Sequence, residues 1–119
     1  MALRLKNQVY GQILIKDDQP TFTGDEILYI FVRESLQHDV DCTELGSKTI
    51  QLHRGQAMPI YFQCLYNPNQ AHMNFEEIKA IPGGLTISVT IERNDEILYI
   101  NNINTPLLDH INIQLVKHE

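Results

Sequence analysis

Leu85-Thr86-Ile87-Ser88-Val89-Thr90-Ile91-Glu92-Arg93-Asn94-Asp95-Glu96-Ile97-Leu98-Tyr99-Ile100-Asn101 is the stretch that decides the fold. Leu85, Ile87, Val89 and Ile91 alternate with Thr86, Ser88, Thr90 and Glu92, the two-residue period of a strand with one face on a core. Arg93-Asn94-Asp95 supplies turn-forming residues, so Glu96 to Asn101 is expected to return antiparallel as the second arm of a hairpin.

Working outward, the same period recurs. Val9, Gly11, Ile13 and Ile15 alternate with Tyr10, Gln12, Leu14 and Lys16, and Asp17-Asp18-Gln19-Pro20 ends that strand. Glu26 to Glu34 is apolar on both faces, as expected of a central strand. Gln37 to Lys48 reads as a polar connection, followed by a short strand near Lys48 to Leu52. Met58-Pro59 opens a strand running to Tyr66, where Pro is acceptable because the first residue need not donate to a ladder. Asn74 to Ala80 predicts at most one helical turn, and Ile111, Ile113 and Leu115 predict the last strand. Seven short strands punctuated by Gly, Pro, Asn and Asp predict an all-β domain, an antiparallel β-sandwich of about seven to eight strands over residues 1–119. Asp-Glu-Ile-Leu-Tyr-Ile occurs at 25–30 and again at 95–100 without matching flanks, so it is read as two strands solving one packing problem and not as a repeat unit.

Composition bounds function. The 119 residues are 43% hydrophobic and 20% charged, values of a folded domain with one core. Nine Lys plus Arg against fifteen Asp plus Glu leave a net charge of -6, which argues against phosphate backbones and anionic membrane surfaces. The longest apolar runs are strand-sized, short of the ~20 residues that span a bilayer, and residues 1–6 contain no apolar signal core, so a soluble protein is expected with its location left open.

No catalytic or cofactor motif emerges. His38, Asp39, Asp41 and Cys42 crowd one segment, but no second ligand pair at zinc spacing accompanies them, so a solvated acidic loop and no metal are expected. His53, His72, His110 and His118 are dispersed, and Ser35, Ser47 and Ser88 lack a nucleophile-elbow context. Asp17-Asp18 and Glu76-Glu77 are adjacent acids pointing in different directions, and Gly83-Gly84 precedes a strand where a phosphate loop would precede a helix. Cys64 shares a strand face with Ile60, Phe62 and Tyr66 and is expected to be a buried thiol not bridged to Cys42.

Pro59-Ile60-Tyr61-Phe62-Gln63-Cys64-Leu65-Tyr66-Asn67-Pro68 resembles the Pro-Ile-Pro-Phe-x-Leu-x-Tyr-Asp-Pro segment of the YbaY/YscW lipoprotein family, which includes pilotins of type III secretion. Val32 to Val40, the pair Gly55-Gln56, the strand Leu85 to Ile91, Asp95 and Leu98 to Asn101 are similar to further stretches of that family in the same order over about residues 9–116. Glu34-Ser35, Tyr61 and Cys64 depart from its Asp-Val, Pro and Leu, and no cysteine stands near the start to accept a lipid. The resemblance implies a β-sandwich exported to the periplasm, commonly tethered to the outer membrane, that binds a protein or peptide partner such as a terminal secretin segment and carries no catalytic residues.

The leading expectation is therefore a non-catalytic interaction module with no cofactor. Tyr61, Leu65 and Tyr29 are the candidate binding residues, because Tyr61 and Leu65 point opposite Phe62 and tyrosine suits recognition surfaces. The strands Val9 to Lys16 and Met58 to Tyr66 are the expected edges open to a partner strand. The competing expectation is a carbohydrate-binding sandwich using Tyr61, Asn67 and Asn69, against which the absence of Trp counts.

Overall fold

A computed structural model of the chain describes residues 7–15, 21–34, 43–101 and 105–118. Its strands are β1 (Gln8–Ile15), β2 (Ile27–Glu34), β3 (Thr43–Gln51), β4 (Ile60–Leu65), β5 (Leu85–Arg93), β6 (Glu96–Ile100) and β7 (His110–Lys117). One short helix, α1 (Phe75–Lys79), and a 3-10 turn at Pro68–Gln70 lie between β4 and β5. Seven strands is the expected number, and Cys64 is the expected free buried thiol. The His38 to Cys42 cluster lies outside the described residues.

The strands form one mixed sheet in the order β3-β2-β5-β6-β7-β1-β4. Two expectations are corrected here. β1 and β7 run parallel, Tyr10 opposite His110 through Ile15 opposite Leu115, so the sheet is not wholly antiparallel. A continuous ladder, thin only where β6 meets β7 at Tyr99–Lys117 and Ile100–Val116, stands in place of two separate sheets and curls into a nearly closed barrel. β7 adds on β1 because Ile111, Ile113 and Leu115 have the inward parity of Gly11, Ile13 and Ile15, letting both strands bury one face together.

The core follows from that parity. Leu28, Ile30 and Val32 of β2 register with Ile91, Val89 and Ile87 of β5, and all six are fully buried. Each such side chain contributes roughly 1.5–3 kcal/mol on leaving water. Gly11 shares the inward parity of Val9 and Ile13, and a Cβ there would stand 2.8 Å from the Phe62 ring and 2.3 Å from the Ile111 carbonyl; the missing side chain lets that ring lie against β1.

β3 is longer than expected. It begins at Thr43 because Leu45 is buried and the ladder with β2 continues past an irregularity between Val32 and Arg33. Most of its other residues are polar and exposed, as suits an edge, which is why that segment reads as a loop. The helical turn is as expected: the Asn74 side chain accepts the Glu76 and Glu77 amides, and Ile78 drops into the core.

Candidate functional site

The two ends of the sheet, β3 and β4, meet at one point and diverge from it. At the meeting point the Asn67 amide donates to the Leu45 carbonyl at 2.8 Å. A Cβ on Gly46 would stand 2.2 Å from the Leu65 carbonyl and 2.7 Å from the Tyr66 Cα, so only glycine allows the approach. Beyond it the strands part around a groove of about 420 Å³, lined by Ser47, Lys48 and Ile50 from β3 and by Tyr61, Gln63 and Leu65 from β4. Tyr61 is 74% exposed and Leu65 53%. Helix α1 leaves them uncovered, since its Phe75 stacks on Tyr66 with ring centres 5.8 Å apart.

Two of the three expected binding residues thus stand on one groove. Tyr29 does not join them: it lies on the outer face of β2, stacked on Phe31 at 6.4 Å, with the Arg33 guanidinium 4.9 Å above the Phe31 ring. Of the two expected edges, β4 is one and β1 is not, because β1 is flanked by β4 and β7. β3, expected only as a short strand, is the other edge. Asn67, expected to contact sugar in the carbohydrate reading, uses its side-chain oxygen to cap the 3-10 turn through the Asn69 amide at 3.0 Å.

Two buried carboxylates went unnoticed in the sequence. Glu26 and Glu34 bracket β2 with the parity of Leu28, Ile30 and Val32, so a strict two-residue count would have placed both inward. Glu26 accepts the Thr23 and Gly24 amides, each at 3.0 Å, and an Arg93 guanidinium nitrogen at 3.1 Å. Burial pushes its pKa up, but the amide and Thr23 hydroxyl hydrogen bonds outweigh it and hold the carboxyl below its ordinary value. Glu34 accepts the His72 amide at 3.0 Å, and the His72 imidazole Nδ1 lies against its other oxygen. Both anchor loops to the sheet. Burial raises the Cys64 thiol to about 11, which leaves it a poor nucleophile near neutrality.

A mostly-β, nearly barrel-shaped fold with an open seam between its edges is the class that these observations define. No protein-family profile and no curated protein matches the sequence. Among solved structures, the chain is similar to an alternative pilotin from the type II secretion system of Vibrio cholerae, with 12% identity and a TM-score of 0.73 over 95% of this chain and 97% of that one. The likeness shows a pilotin-like fold. A 9R-lipoxygenase from Cyanothece overlaps at 14% identity and a TM-score of 0.45, over 92% of this chain and 16% of that one, too low to carry an argument.

Proposed function

We propose that the chain is a non-catalytic interaction module of pilotin type, related to YbaY/YscW lipoproteins, that takes a peptide segment of a secretin-type partner between β3 and β4. The observation that carries this reading is the groove itself: two strand edges part around it, and Tyr61 and Leu65 present apolar area to solvent. An extended segment entering there meets edge amides and carbonyls as well as the two side chains, the usual chemistry of strand addition. The shared fold with a secretion pilotin supports the class of partner, and by the same reading the protein works in the periplasm beside the outer membrane. The buried, weakly acidic Cys64 fits a role without catalysis.

The test is fluorescence anisotropy of labelled peptides tiling the terminal segments of a secretin subunit. One peptide should bind saturably, and Tyr61→Asp with Leu65→Asp should weaken it by about tenfold or more, a typical loss for central interface residues. Both side chains are exposed, so the circular dichroism spectrum and melting temperature should not change. A double variant that unfolds, or that binds as the native chain does, would sink the assignment of this groove.

A further inference from the structure

The hydrogen bonds just beyond two ladders fix which backbone groups face the seam. The Tyr66 amide donates to the Asn7 carbonyl at 2.9 Å, one step past the pair Gln8–Leu65 of β1 and β4. Antiparallel ladders bond every second pair, so Ile60, Phe62 and Cys64 turn their amides and carbonyls to β1, and Tyr61, Gln63 and Leu65 turn theirs to the seam. On the other wall the Leu52 amide donates to the Glu26 carbonyl at 3.0 Å, one step past the pair Ile27–Gln51. By the same count Ser47, Thr49 and Gln51 of β3 face the seam. Both walls of the groove thus offer main-chain donors and acceptors at the repeat of a polypeptide backbone, which favours a strand over a lipid tail or a sugar.

Lys48 stands between those walls. It registers with the fully buried Ile30, and paired residues share a face, so its side chain has inward parity. It is nevertheless exposed, because no strand covers that flank of β3. Burial raises the Cys64 thiol and the Lys48 charge opposes that rise, which sets the ammonium on the flank of β3 that faces β4. Glu44, which adds to the rise, registers with Arg33 on the outer face. Among the described residues Lys48 is the single charged side chain lining the groove and is in no ion pair; the two ion pairs present are Glu34 with His72 and Arg93 with Glu26.

We infer that the segment taken up at the seam is an acidic strand whose Asp or Glu carboxylate pairs with Lys48, an inference that rests on the peptide reading of the groove and names its occupant. Alternation then sets the pattern of the segment. The inward residue beside Lys48 is acidic, the inward residue two positions away meets Ile50 and Phe62 and is apolar, and the outward residue between them lies against Tyr61 or Leu65 and is apolar as well. The net charge of -6 opposes an acidic partner at long range. Physiological salt screens exposed charges beyond about 8 Å, so the local pair prevails on contact.

The test uses three peptides with acetylated and amidated ends, Thr-Val-Asp-Val-Leu-Thr and its Asn and Lys counterparts at the third position, titrated into isotope-labelled protein by nuclear magnetic resonance. The Asp peptide should bind with shifts centred on residues 47–50 and 61–65, about fivefold more tightly than the Asn peptide, as for an ion pair near a surface. The Lys peptide should bind more weakly still. Lys48→Met, which keeps the apolar stem, should erase the difference between Asp and Asn, and Lys48→Glu should reverse the order of Asp and Lys. Lys48 is exposed, so both variants should melt as the native chain does. Equal binding of the Asp and Asn peptides at these residues would overturn the acidic occupant and leave the peptide reading standing. If none of the three binds there, the peptide reading fails and the acidic occupant with it. An Asn peptide whose uncapped carboxyl end binds as tightly as the capped Asp peptide would make Lys48 a reader of chain ends, which also overturns the assignment.

Discussion

Asn101 meets Val89 through two hydrogen bonds, one from its backbone and one from its side chain: its amide donates to the Val89 carbonyl at 3.2 Å, and its side-chain oxygen accepts the Val89 amide at 2.8 Å. The side-chain nitrogen donates to the Ile87 carbonyl at 3.0 Å. β6 ends at Ile100; this buried side chain carries the pairing beside β5 to Val89 and Ile87, and the backbone takes it up again where Thr105 accepts the Ile87 amide and the Leu107 amide donates to Leu85.

Replacing Asn101 by Leu should therefore cost about 2–3 kcal/mol, since it leaves the Val89 amide and Ile87 carbonyl buried without partners. Urea denaturation checks this; a loss below half that range would show that water or a shifted backbone takes over.

Gly46 sets the point where the sheet ends meet. Gly46→Val should destabilise by about 1–3 kcal/mol, the usual cost of overpacking, because its Cβ falls 2.2 Å from the Leu65 carbonyl. Amide hydrogen exchange should quicken at Asn67, whose amide bonds Leu45, before it quickens in β5. Unchanged protection at Asn67 would mean that the two edges do not depend on this approach.

Glu26 gives the protein an acid limb. Its folded pKa lies below the unfolded value of about 4.3, so its contribution is fully present above that value and is lost as pH falls through the folded pKa. Melting temperatures of the native chain and of Glu26→Gln should differ most near neutrality and converge in acid. A gap that stays constant through the acid range would be inconsistent with the ionised carboxylate as its source.

Cys64 should react slowly with an aromatic disulfide reagent in the native state and fully in urea, since it is buried and its thiol is raised to about 11. The unfolded thiol ionises near pH 8.5, roughly, so this group favours folding less and less as pH rises from there toward 11. Comparing alkaline unfolding with Cys64→Ala isolates that part; an identical alkaline slope in the variant would refute it.

Much of the site was written locally. Ile60, Phe62 and Cys64 alternate with Tyr61, Gln63 and Leu65, which suffices to put the second set outward. What lies across from them was not, because β3 and β4 meet only when the whole sheet curls, and no local pattern encodes the partner of an edge. Tyr29 shows the same limit: its strand was legible, but the side of the molecule on which its outer face lies was not.

The recurring hexapeptide separates the two kinds of information most sharply. Alternation and turn residues in the sequence by themselves determined that Asp25 to Ile30 and Asp95 to Ile100 both lead into or form strands. Only the tertiary structure decided which side chains go inward: the first copy buries Glu26, Leu28 and Ile30, whereas the second buries Tyr99 and exposes Glu96. The first copy sits between β3 and β5, whose ladders set its parity over eight residues. The second starts from the two-residue turn Asn94-Asp95, both with positive φ, and an irregularity between Ile91 and Glu92 shifts its register. With a side-chain period of two, a one-residue shift turns every side chain to the opposite face, so identical residues acquire opposite roles.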